Sequence, residues 1–358
     1  MGAANIARKN WLAIRNTHNG IVRAVASRSI ERSQQFIAEC QAAAPFSIAP
    51  CPLGSYEALL AHPEIDGVYI PLPTGIRKEW VLRAAAAGKH VVCEKPCGIN
   101  ADDLAEMVDA CQRHQVQFMD GVMFMHSARL DALRDLIHTR AALGKLRRIS
   151  TAFSFLAPPE FYTDNIRGDG ALEPLGCLGD LGWYCLRFAL WAMGWKSPRQ
   201  VTGRILAEIR RTAASPPVPT EFSGELFFDN GASSEFYCSF NTHLEQWAIV
   251  SGTDGSMRLT DFVLPHFGSE LSFETFHPFF DVHGCEFNME PHIHRHTVEE
   301  YSNSHSRAQE TNLFRNFAAQ VQSGKLNASW PAMALQTQQI LDACLESARH
   351  GSKAVNLV

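Results

Sequence analysis

The stretch that decides the fold is His90-Val91-Val92-Cys93-Glu94-Lys95-Pro96, in which an apolar run ends in an acid, a base and a proline. The run from Val91 to Cys93 has no polar alternation, which is typical of a parallel strand covered on both faces. Pro96 has no backbone N–H and therefore ends the strand. Because ligands bind beyond the carboxyl ends of strands in open α/β sheets, we expect Lys95 to lie where a reacting atom can sit. A solvated Glu94–Lys95 ion pair at a strand exit is the simpler alternative.

Composition restricts the function classes. The 358 residues predict two domains, and 46% hydrophobic with 19% charged residues is ordinary for a globular chain. The net charge of -5, with dispersed Lys and Arg, argues against nucleic acid as a partner. No apolar run approaches the roughly 18 residues that a membrane helix needs, and no secretory signal opens the sequence. The ten cysteines form no Cys-x-x-Cys pair, so we expect a reduced, cytoplasmic protein.

Helical and strand patterns alternate through the first third of the chain, which predicts βαβ units and a parallel sheet. The predicted strands cover residues 21–26, 67–70, 91–93 and 116–119, and helices begin at residue 5 and after Ser29, Ser55 and Asn100. From about residue 147 strand-like runs follow one another, with one inserted helix near residues 178–193 and two helices at 308–323 and 331–348. We therefore predict a doubly wound α/β domain over residues 1–124. An α+β domain with an open, mainly antiparallel sheet follows over residues 125–358, its last helices packing back.

Small residues at the start of the chain fit a dinucleotide-binding turn. Gly2, Ala4 and Ala7 form a Gly-x-Ala-x-x-Ala pattern, and Asn5 and Ile6 complete the turn where a pyrophosphate approaches a helix N-terminus. The strand that precedes such a turn is central in a doubly wound sheet, and it is not in this sequence. Either the chain is a piece of a longer one, or the protein is built without that strand.

The residues after the next strand favour NADP over NAD. An Asp or Glu about 20 residues beyond the turn would bind the ribose 2′-hydroxyl, but this chain has Ser27-Arg28-Ser29 there. A cation between two hydroxyls suits a 2′-phosphate. The alternative is that Arg28 is a solvated residue at a strand end.

Five motifs in one order carry a resemblance to a known family. They are Gly2-x-Ala4-x-x-Ala7, Ala26-Ser27-Arg28-Ser29, Pro71-Leu72-Pro73-Thr74, Glu94-Lys95-Pro96 and Gly176-Cys177-Leu178-Gly179-Asp180-Leu181-Gly182-Trp183-Tyr184. Together they resemble the Gfo/Idh/MocA oxidoreductases over essentially the whole chain, closest to a plant-type subgroup and more distantly to dimeric dihydrodiol dehydrogenase. The resemblance implies a Rossmann domain, an open-sheet substrate domain, hydride transfer between a nicotinamide and an alcohol or carbonyl, and a homodimer or higher homo-oligomer.

Site residues follow from the same resemblance. Lys95 corresponds to the lysine that bonds the reacting oxygen, and Asp180 and Tyr184, at i and i+4, share one helix face. A phenol beside an ammonium can act as the acid in carbonyl reduction. The predicted cofactor-binding residues are Gly2, Ala4, Asn5, Ile6, Ala7, Ser27, Arg28, Ser29, Pro71, Leu72, Pro73, Thr74, Arg77, Glu94 and Lys95.

Three further residues are predicted to contact the substrate: His126, Arg167 and Trp183. A half-buried histidine, a solvated loop arginine and a packing tryptophan are the alternatives. Arg77 stands where many resembling proteins have His, and could bind an anionic substrate or only begin a helix. The run His292-Ile293-His294-Arg295-His296 has no carboxylate or thiolate at ligand spacing, so we predict no metal site.

The sequence thus predicts an NADP-dependent oxidoreductase acting on a sugar, cyclitol, dihydrodiol or related small carbonyl or alcohol. A non-catalytic NADP-binding sensor on the same fold is the alternative.

Overall fold

The computed structural model describes residues 1–357 and confirms the α/β character of the N-terminal part. Its elements, in order, are α1 (Asn5–Arg15), β1 (Ala24–Ala26), α2 (Ile30–Ala43), β2 (Cys51–Leu53), α3 (Tyr56–Leu60), β3 (Gly67–Ile70), α4 (Thr74–Ala86), β4 (His90–Cys93), α5 (Ala101–Arg113) and β5 (Phe118–Asp120). Ser29, Ser55 and Asn100 each accept a hydrogen bond from the backbone N–H three residues later, so all three predicted caps are confirmed.

The parallel strands of this part form two separate sheets, whereas a single doubly wound sheet was predicted. β1 pairs with β2, and β3, β4 and β5 form a second parallel sheet. Within residues 1–357 no strand lies between β1 and β3. Met1 and Gly2 bridge them, since the Met1 nitrogen donates to the Tyr69 carbonyl at 2.8 Å and the Gly2 N–H donates to the Ala26 carbonyl at 2.7 Å.

The second part is built on a nine-stranded, mainly antiparallel sheet, as predicted. Its strands are β6 (Leu146–Leu156), β7 (Gln200–Ile209), β8 (Val218–Phe227), β9 (Ser233–Ser239), β10 (Asn241–Gly252), β11 (Ser256–Leu259), β12 (Glu270–Phe276), β15 (Ile293–Glu299) and β16 (Val355–Asn356). The spatial order is β15-β12-β11-β10-β6-β9-β8-β7-β16, and within residues 1–357 only the neighbours β6 and β9 run parallel in this sheet. A hairpin of β13 (Phe279–His283) and β14 (Glu286–Glu290) projects between β12 and β15. The strands β12 to β15 were not predicted from the sequence.

Five helices complete this part: α6 (Ala128–Arg134), α7 (Pro159–Asp164), α8 (Trp183–Ala192), α9 (Gln309–Gln322) and α10 (Ser329–Arg349). Every residue of α8 is buried, which explains why its sequence is apolar on all sides. The predicted helix over residues 178–193 begins with a wider π turn over Leu178–Gly182 before α8. Among the described residues, no helix combines the length and apolarity that crossing a bilayer requires.

The last two helices pack against the first part of the chain. Leu313, Phe314 and Phe317 of α9 share an apolar cluster with Ala13 of α1 and Val92 of β4. In α10, the Asp342 carboxylate accepts a hydrogen bond of 2.5 Å from the Ala101 N–H at the start of α5. These contacts hold the two parts together around a common cleft.

The buried cap at Asp342 makes stability depend on pH. Burial raises the pKa of Asp342 from 3.8 to about 6. The contribution of this carboxyl to the free energy of unfolding is therefore fully present below about pH 4 and is lost as the pH rises through about 6. We compare the unfolding free energy of Asp342→Asn with that of the parent protein. We expect the difference, variant minus parent, to rise by about 2–3 kcal/mol as the pH goes from about 4 to about 7.5. Urea unfolding at both pH values measures this gain. The exposed Asp229→Asn is the control, and equal pH dependence in both variants contradicts the prediction.

Candidate active site

A cavity of ≈ 950 Å³ lies between the two parts of the chain and is lined by both. The carboxyl ends of β1, β3 and β4 form one wall, as is general for ligand sites in parallel sheets. The loop around Arg167 and the turn that carries Asp180 form the opposite wall. Among the predicted residues, its lining includes Gly2, Ala4, Asn5, Ile6, Ser27, Arg28, Pro71, Leu72, Pro73, Arg77, Glu94, Lys95, Arg167, Asp180 and Tyr184.

Lys95 makes an ion pair across the cavity. Its Nζ donates to Oδ1 and to the main-chain carbonyl of Asp180, at 2.7 Å each, and both side chains are about nine-tenths buried. Arg167 Nε binds the other carboxylate oxygen at 2.7 Å. Burial alone would raise the pKa of Asp180, but the charges of Arg167 and Lys95 outweigh it and hold that pKa well below its usual range. Asp180 therefore stays ionised and fixes the direction of the Lys95 ammonium.

A glycine lets the turn that carries Asp180 approach Lys95 so closely. A Cβ atom added at Gly179 would lie only 3.0 Å from Cγ of Pro96 and 2.6 Å from Cβ of Leu175. Any larger residue at this position would move Asp180 away from the β4 exit.

Tyr184 lies beside Lys95, whose Nζ is 4.8 Å from the centre of the phenol ring. Burial, with smaller effects from the charges of Glu94 and Asp180, raises the pKa of Tyr184 well above 10. The phenol is therefore protonated at neutral pH. Its hydroxyl makes no hydrogen bond with any residue from 1 to 357, although the side chain lines the cavity. It is thus available to a ligand oxygen.

Glu94 is held from behind by two residues that the sequence analysis did not single out. The Tyr69 hydroxyl donates to Glu94 Oε1 at 2.5 Å, and Asn10 Nδ2 donates to the Tyr69 oxygen at 2.7 Å. A Cβ at Gly121 would lie 3.1 Å from the Glu94 carboxyl carbon, so this glycine makes room for the acid. The chain Asn10–Tyr69–Glu94 orients the carboxylate in the cavity wall.

The Arg77 side chain donates its hydrogen bonds to main-chain carbonyl groups and not to an anion. Its guanidinium is buried and donates to the carbonyls of Leu72, Glu94 and Pro96. The loops after β3 and β4 are therefore joined through one side chain. The proposed binding of an anionic substrate by Arg77 is not supported, because its donors are already satisfied by these carbonyls.

The N-terminus of α4 is covered by the second part of the chain. The N–H and hydroxyl of Thr74 donate to the Glu173 carboxylate at 3.1 and 2.6 Å, and the Gly75 N–H donates to the Leu172 carbonyl at 2.8 Å. Glu173 itself lines the cavity. Thr74 thus joins the two walls and does not line the cavity as a cofactor ligand.

The N-terminus of α1 has free donors that face the cavity. No side chain caps this helix, and the Ala7 N–H bonds to the Ala4 carbonyl, so the N–H groups of Asn5 and Ile6 remain for a ligand. Gly2 has φ of +87°, which favours glycine, and a Cβ there would lie 3.0 Å from Leu72. Free N–H groups behind a glycine turn suit the pyrophosphate of a dinucleotide.

Two arginines lie at the same end of the cavity. Arg28 and Arg32 both line it, both are exposed, and neither makes an ion pair within the described chain. Tyr56 lines the same cavity; burial raises its pKa, and the positive charges of Arg28 and Arg32 oppose that rise. Arg32 was not singled out from the sequence, although it lies one turn beyond the Ser29 cap.

Besides Thr74, four predicted residues lie outside the cavity wall. His126 bonds Asn316 at 3.0 Å, and burial lowers its pKa to about 4, with Arg187 as a smaller cause, so the ring is neutral. Trp183 is fully buried beneath the site. The structure thus places neither His126 nor Trp183 in the cavity wall, although both were predicted to contact the substrate. Ser29 caps α2, and Ala7 packs beside Trp11.

A buried ion pair beneath the site was also missed. Arg187 Nη2 binds Asp120 Oδ2 at 2.5 Å and its Nε binds Thr337 at 2.8 Å, which ties α8 to the end of β5 and to α10. No local sequence pattern signals such a pair, because its members are 67 residues apart. Over residues 1–357, no three His, Cys, Asp or Glu side chains converge as metal ligands.

Two family models match the chain. Residues 1–122 match an oxidoreductase family with an NAD-binding Rossmann fold, and residues 131–258 match the C-terminal domain model of the same family, GFO/IDH/MocA. The chain is 32% identical to D-xylose 1-dehydrogenase (NADP(+)) 2 of Haloferax volcanii, over 77% of this chain and 79% of that protein. It is also 32% identical to trans-1,2-dihydrobenzene-1,2-diol dehydrogenase of Mus musculus, over 66% and 65%.

Solved structures share the fold. The 3-ketoreductase KijD10 from Actinomadura kijaniata, in complex with NADP and TDP-benzene, superimposes with a TM-score of 0.78 at 22% identity, covering 96% of this chain and 95% of that one. Levoglucosan dehydrogenase, in complex with NADH and levoglucosan, gives 0.77 at 18% identity, covering 99% and 97%.

Proposed function

Because this chain belongs to the Gfo/Idh/MocA family of oxidoreductases, we propose that it transfers a hydride between NADP and a sugar, cyclitol, dihydrodiol or related small carbonyl or alcohol. One observation carries the proposal. The Lys95 ammonium, fixed by Asp180, lies over the ring of Tyr184 in the cavity that the dinucleotide turn also lines, and the Tyr184 hydroxyl has no partner within residues 1–357.

The residues present fit NADP. Asn5 and Ile6 would hold the pyrophosphate through their N–H groups, and Arg28 and Arg32 would hold the 2′-phosphate. The relative from Haloferax volcanii carries NADP in its name, which supports the same cofactor. When bound, the cofactor supplies the hydride, and the protein supplies orientation and electrostatics.

Lys95 and Tyr184 would handle the proton in reduction. The substrate carbon gains a hydride and its oxygen gains a proton, which the neutral Tyr184 hydroxyl donates as the C=O bond becomes C–OH. The Lys95 cation bonds the same oxygen and stabilises the negative charge on the phenolate left behind. Water then returns a proton to Tyr184, and oxidation follows the reverse path.

The arginine pair predicts cofactor preference. We expect Arg28→Ala and Arg32→Ala each to weaken NADPH binding about tenfold and together about a hundredfold, because each removes a cation beside the 2′-phosphate. NADH binding is expected to be unchanged. Fluorescence titration with both cofactors measures the effect. The exposed Arg113→Ala is the control, and equal losses for NADPH and NADH would contradict the assignment.

A substrate panel tests the proposed activity. The purified protein is incubated with NADPH and a set of aldoses, ketoses, inososes and small diketones, and NADPH loss is followed by absorbance. We expect turnover of at least one class. Tight NADPH binding without turnover of any compound would favour the sensor alternative.

We also propose a cytoplasmic homodimer or higher homo-oligomer. All ten cysteines are free thiols, which supports a reducing compartment. The β13–β14 hairpin exposes Phe280, Phe287 and Met289, which supports association through an apolar surface. Light scattering of the purified protein tests the assembly.

A further inference from the structure

The sheet side of the catalytic cavity ends in an apolar lip. Leu244 of β10 and Leu264, in the loop after β11, form this lip; both line the cavity, and they are 53% and 38% exposed. Phe153 and Phe155 of β6 line the cavity as well, and side chains two residues apart on a strand share one face. Large apolar side chains that adjoin one another at a cleft and stay exposed mark a place where a ligand contacts the protein.

A bulge in β10 places Leu244 at the cavity. Along the β6–β10 pair, residues 242–244 of β10 lie opposite the single residue Phe155 of β6. The hydroxyl of Ser154, which is fully buried, donates to the His243 carbonyl at 2.6 Å and holds this bulge. Bulges next to binding sites re-aim a side chain. Leu244 is therefore kept beside Phe155, with half of its surface exposed.

A buried amide holds Leu264 in place. Gln246 Nε2 donates to the Leu264 carbonyl, and the Leu264 N–H donates to Gln246 Oε1, at 2.8 Å each. Gln246 lies opposite Phe153 in the register of β10 and β6, so these two bonds set the loop against Phe153. Asp261 fastens the same loop, since its carboxylate accepts from the His266 N–H at 3.0 Å. The exposure of Leu264 is thus fixed by its neighbours.

The apolar surface begins at the groups proposed to react. The rings of Phe153 and Tyr184 meet edge to face with their centres 5.6 Å apart, and Lys95 Nζ lies 4.8 Å from the centre of the same phenol ring. A substrate oxygen bound by Lys95 and Tyr184 would leave the neighbouring part of the molecule against Phe153 and the lip. Hydroxyl groups in that part would give up their water partners and find none among these apolar side chains.

Polar groups line the cavity from a different element. Asn165, Arg167 and Glu173 belong to the connection between α7 and α8 and not to the sheet. The cavity therefore offers one polar wall and one apolar wall to a molecule between them.

We propose that the lip binds an aryl or branched alkyl group next to the reacting carbon. The substrate class is then a carbonyl compound with an apolar group on one side, or the corresponding alcohol, and not a fully hydroxylated sugar. This inference rests on the hydride transfer proposed above and adds which part of the substrate the sheet selects. Burying a phenyl-sized group is worth about 30-fold in affinity over leaving it in water.

Three hydroxymethyl ketones that differ in one group test the proposal. Hydroxymethyl phenyl ketone carries a phenyl group where hydroxyacetone has methyl and dihydroxyacetone has a second hydroxymethyl. In each, the ketone carbon gains a hydride from NADPH and its oxygen gains a proton. We expect kcat/KM for the phenyl compound to exceed that for dihydroxyacetone by about 30-fold, with hydroxyacetone between them. Equal values, or a preference for dihydroxyacetone, would overturn the proposal.

Matched variants locate the preference. Leu244→Asn and Leu264→Asn should each lower kcat/KM for the phenyl ketone about fivefold and change that for dihydroxyacetone less than about twofold. Leu206→Asn is the control, because Leu206 of β7 is 46% exposed and lies outside the cavity lining. A similar loss for both ketones in the lip variants would contradict the role of the lip.

Binding without reaction separates this inference from the proposed function. Styrene glycol and propylene glycol cannot be oxidised by the NADPH-loaded protein, because its cofactor is already reduced. By calorimetry, we expect the parent protein to bind styrene glycol about tenfold more tightly than propylene glycol, and the double variant Leu244→Asn, Leu264→Asn to lose this difference. That result without turnover of any ketone would support the lip and refute the hydride transfer. Turnover with equal binding of both glycols would refute the lip alone.

Discussion

Lys95→Met is expected to lower kcat about 10³-fold while NADPH binding stays within twofold of the parent value. The ammonium is the cation beside Tyr184, and its loss would remove both the proposed bond to the substrate oxygen and the charge proposed to stabilise the phenolate. A 10³-fold loss corresponds to about 4 kcal/mol of transition-state stabilisation. Steady-state kinetics with the best substrate of the panel, together with NADPH titration, measures both quantities.

Two comparisons make this result specific to the site. Lys325→Met removes an exposed lysine and should leave kcat unchanged. In Lys95→Met, Asp180 keeps its bond to Arg167, so we expect the fold and the thermal midpoint to be preserved. Unchanged turnover in Lys95→Met would refute the catalytic role of Lys95.

Tyr184→Phe is expected to lower kcat about 10²-fold without loss of thermal stability. The hydroxyl has no partner within residues 1–357, so its removal breaks no internal hydrogen bond, but it deletes the proposed proton donor. Because burial raises the pKa of Tyr184 well above 10, the phenol stays protonated through neutral and mildly alkaline pH, and we expect the loss in kcat to be the same from about pH 6 to about pH 9.

Tyr301→Phe is the matched control, since its hydroxyl also makes no hydrogen bond in the described chain and its ring stacks on His305, outside the cavity. It should change neither kcat nor the pH profile. If Tyr184→Phe retains full turnover, another group delivers the proton, and the mechanism proposed above is wrong.

Local sequence patterns were enough to predict much of the fold. The unbroken apolar run before Glu94 predicted a buried parallel strand, and β4 ends at Cys93 as expected. The Ser and Asn caps identified the starts of α2, α3 and α5, because each satisfies N–H groups of its own helix. Such features depend on residues within one turn of each other.

Features that depend on distant residues were not predictable in this way. The Asn10–Tyr69–Glu94 chain and the Arg187–Asp120 pair join residues that only the tertiary fold brings together. Arg77 is a second example, because its place in the sequence near the site residues indicated a contact with a ligand. Its donors in fact bind three main-chain carbonyls.

The contact between Thr74 and Glu173 has a mechanical consequence for selection among substrates. The hydrogen bonds of Thr74 to Glu173 and of Gly75 to Leu172 fasten one rim of the cavity to the other. A molecule that needs more length at that rim would have to break these hydrogen bonds. We therefore expect discrimination by size to persist even when polar groups on the substrate are removed.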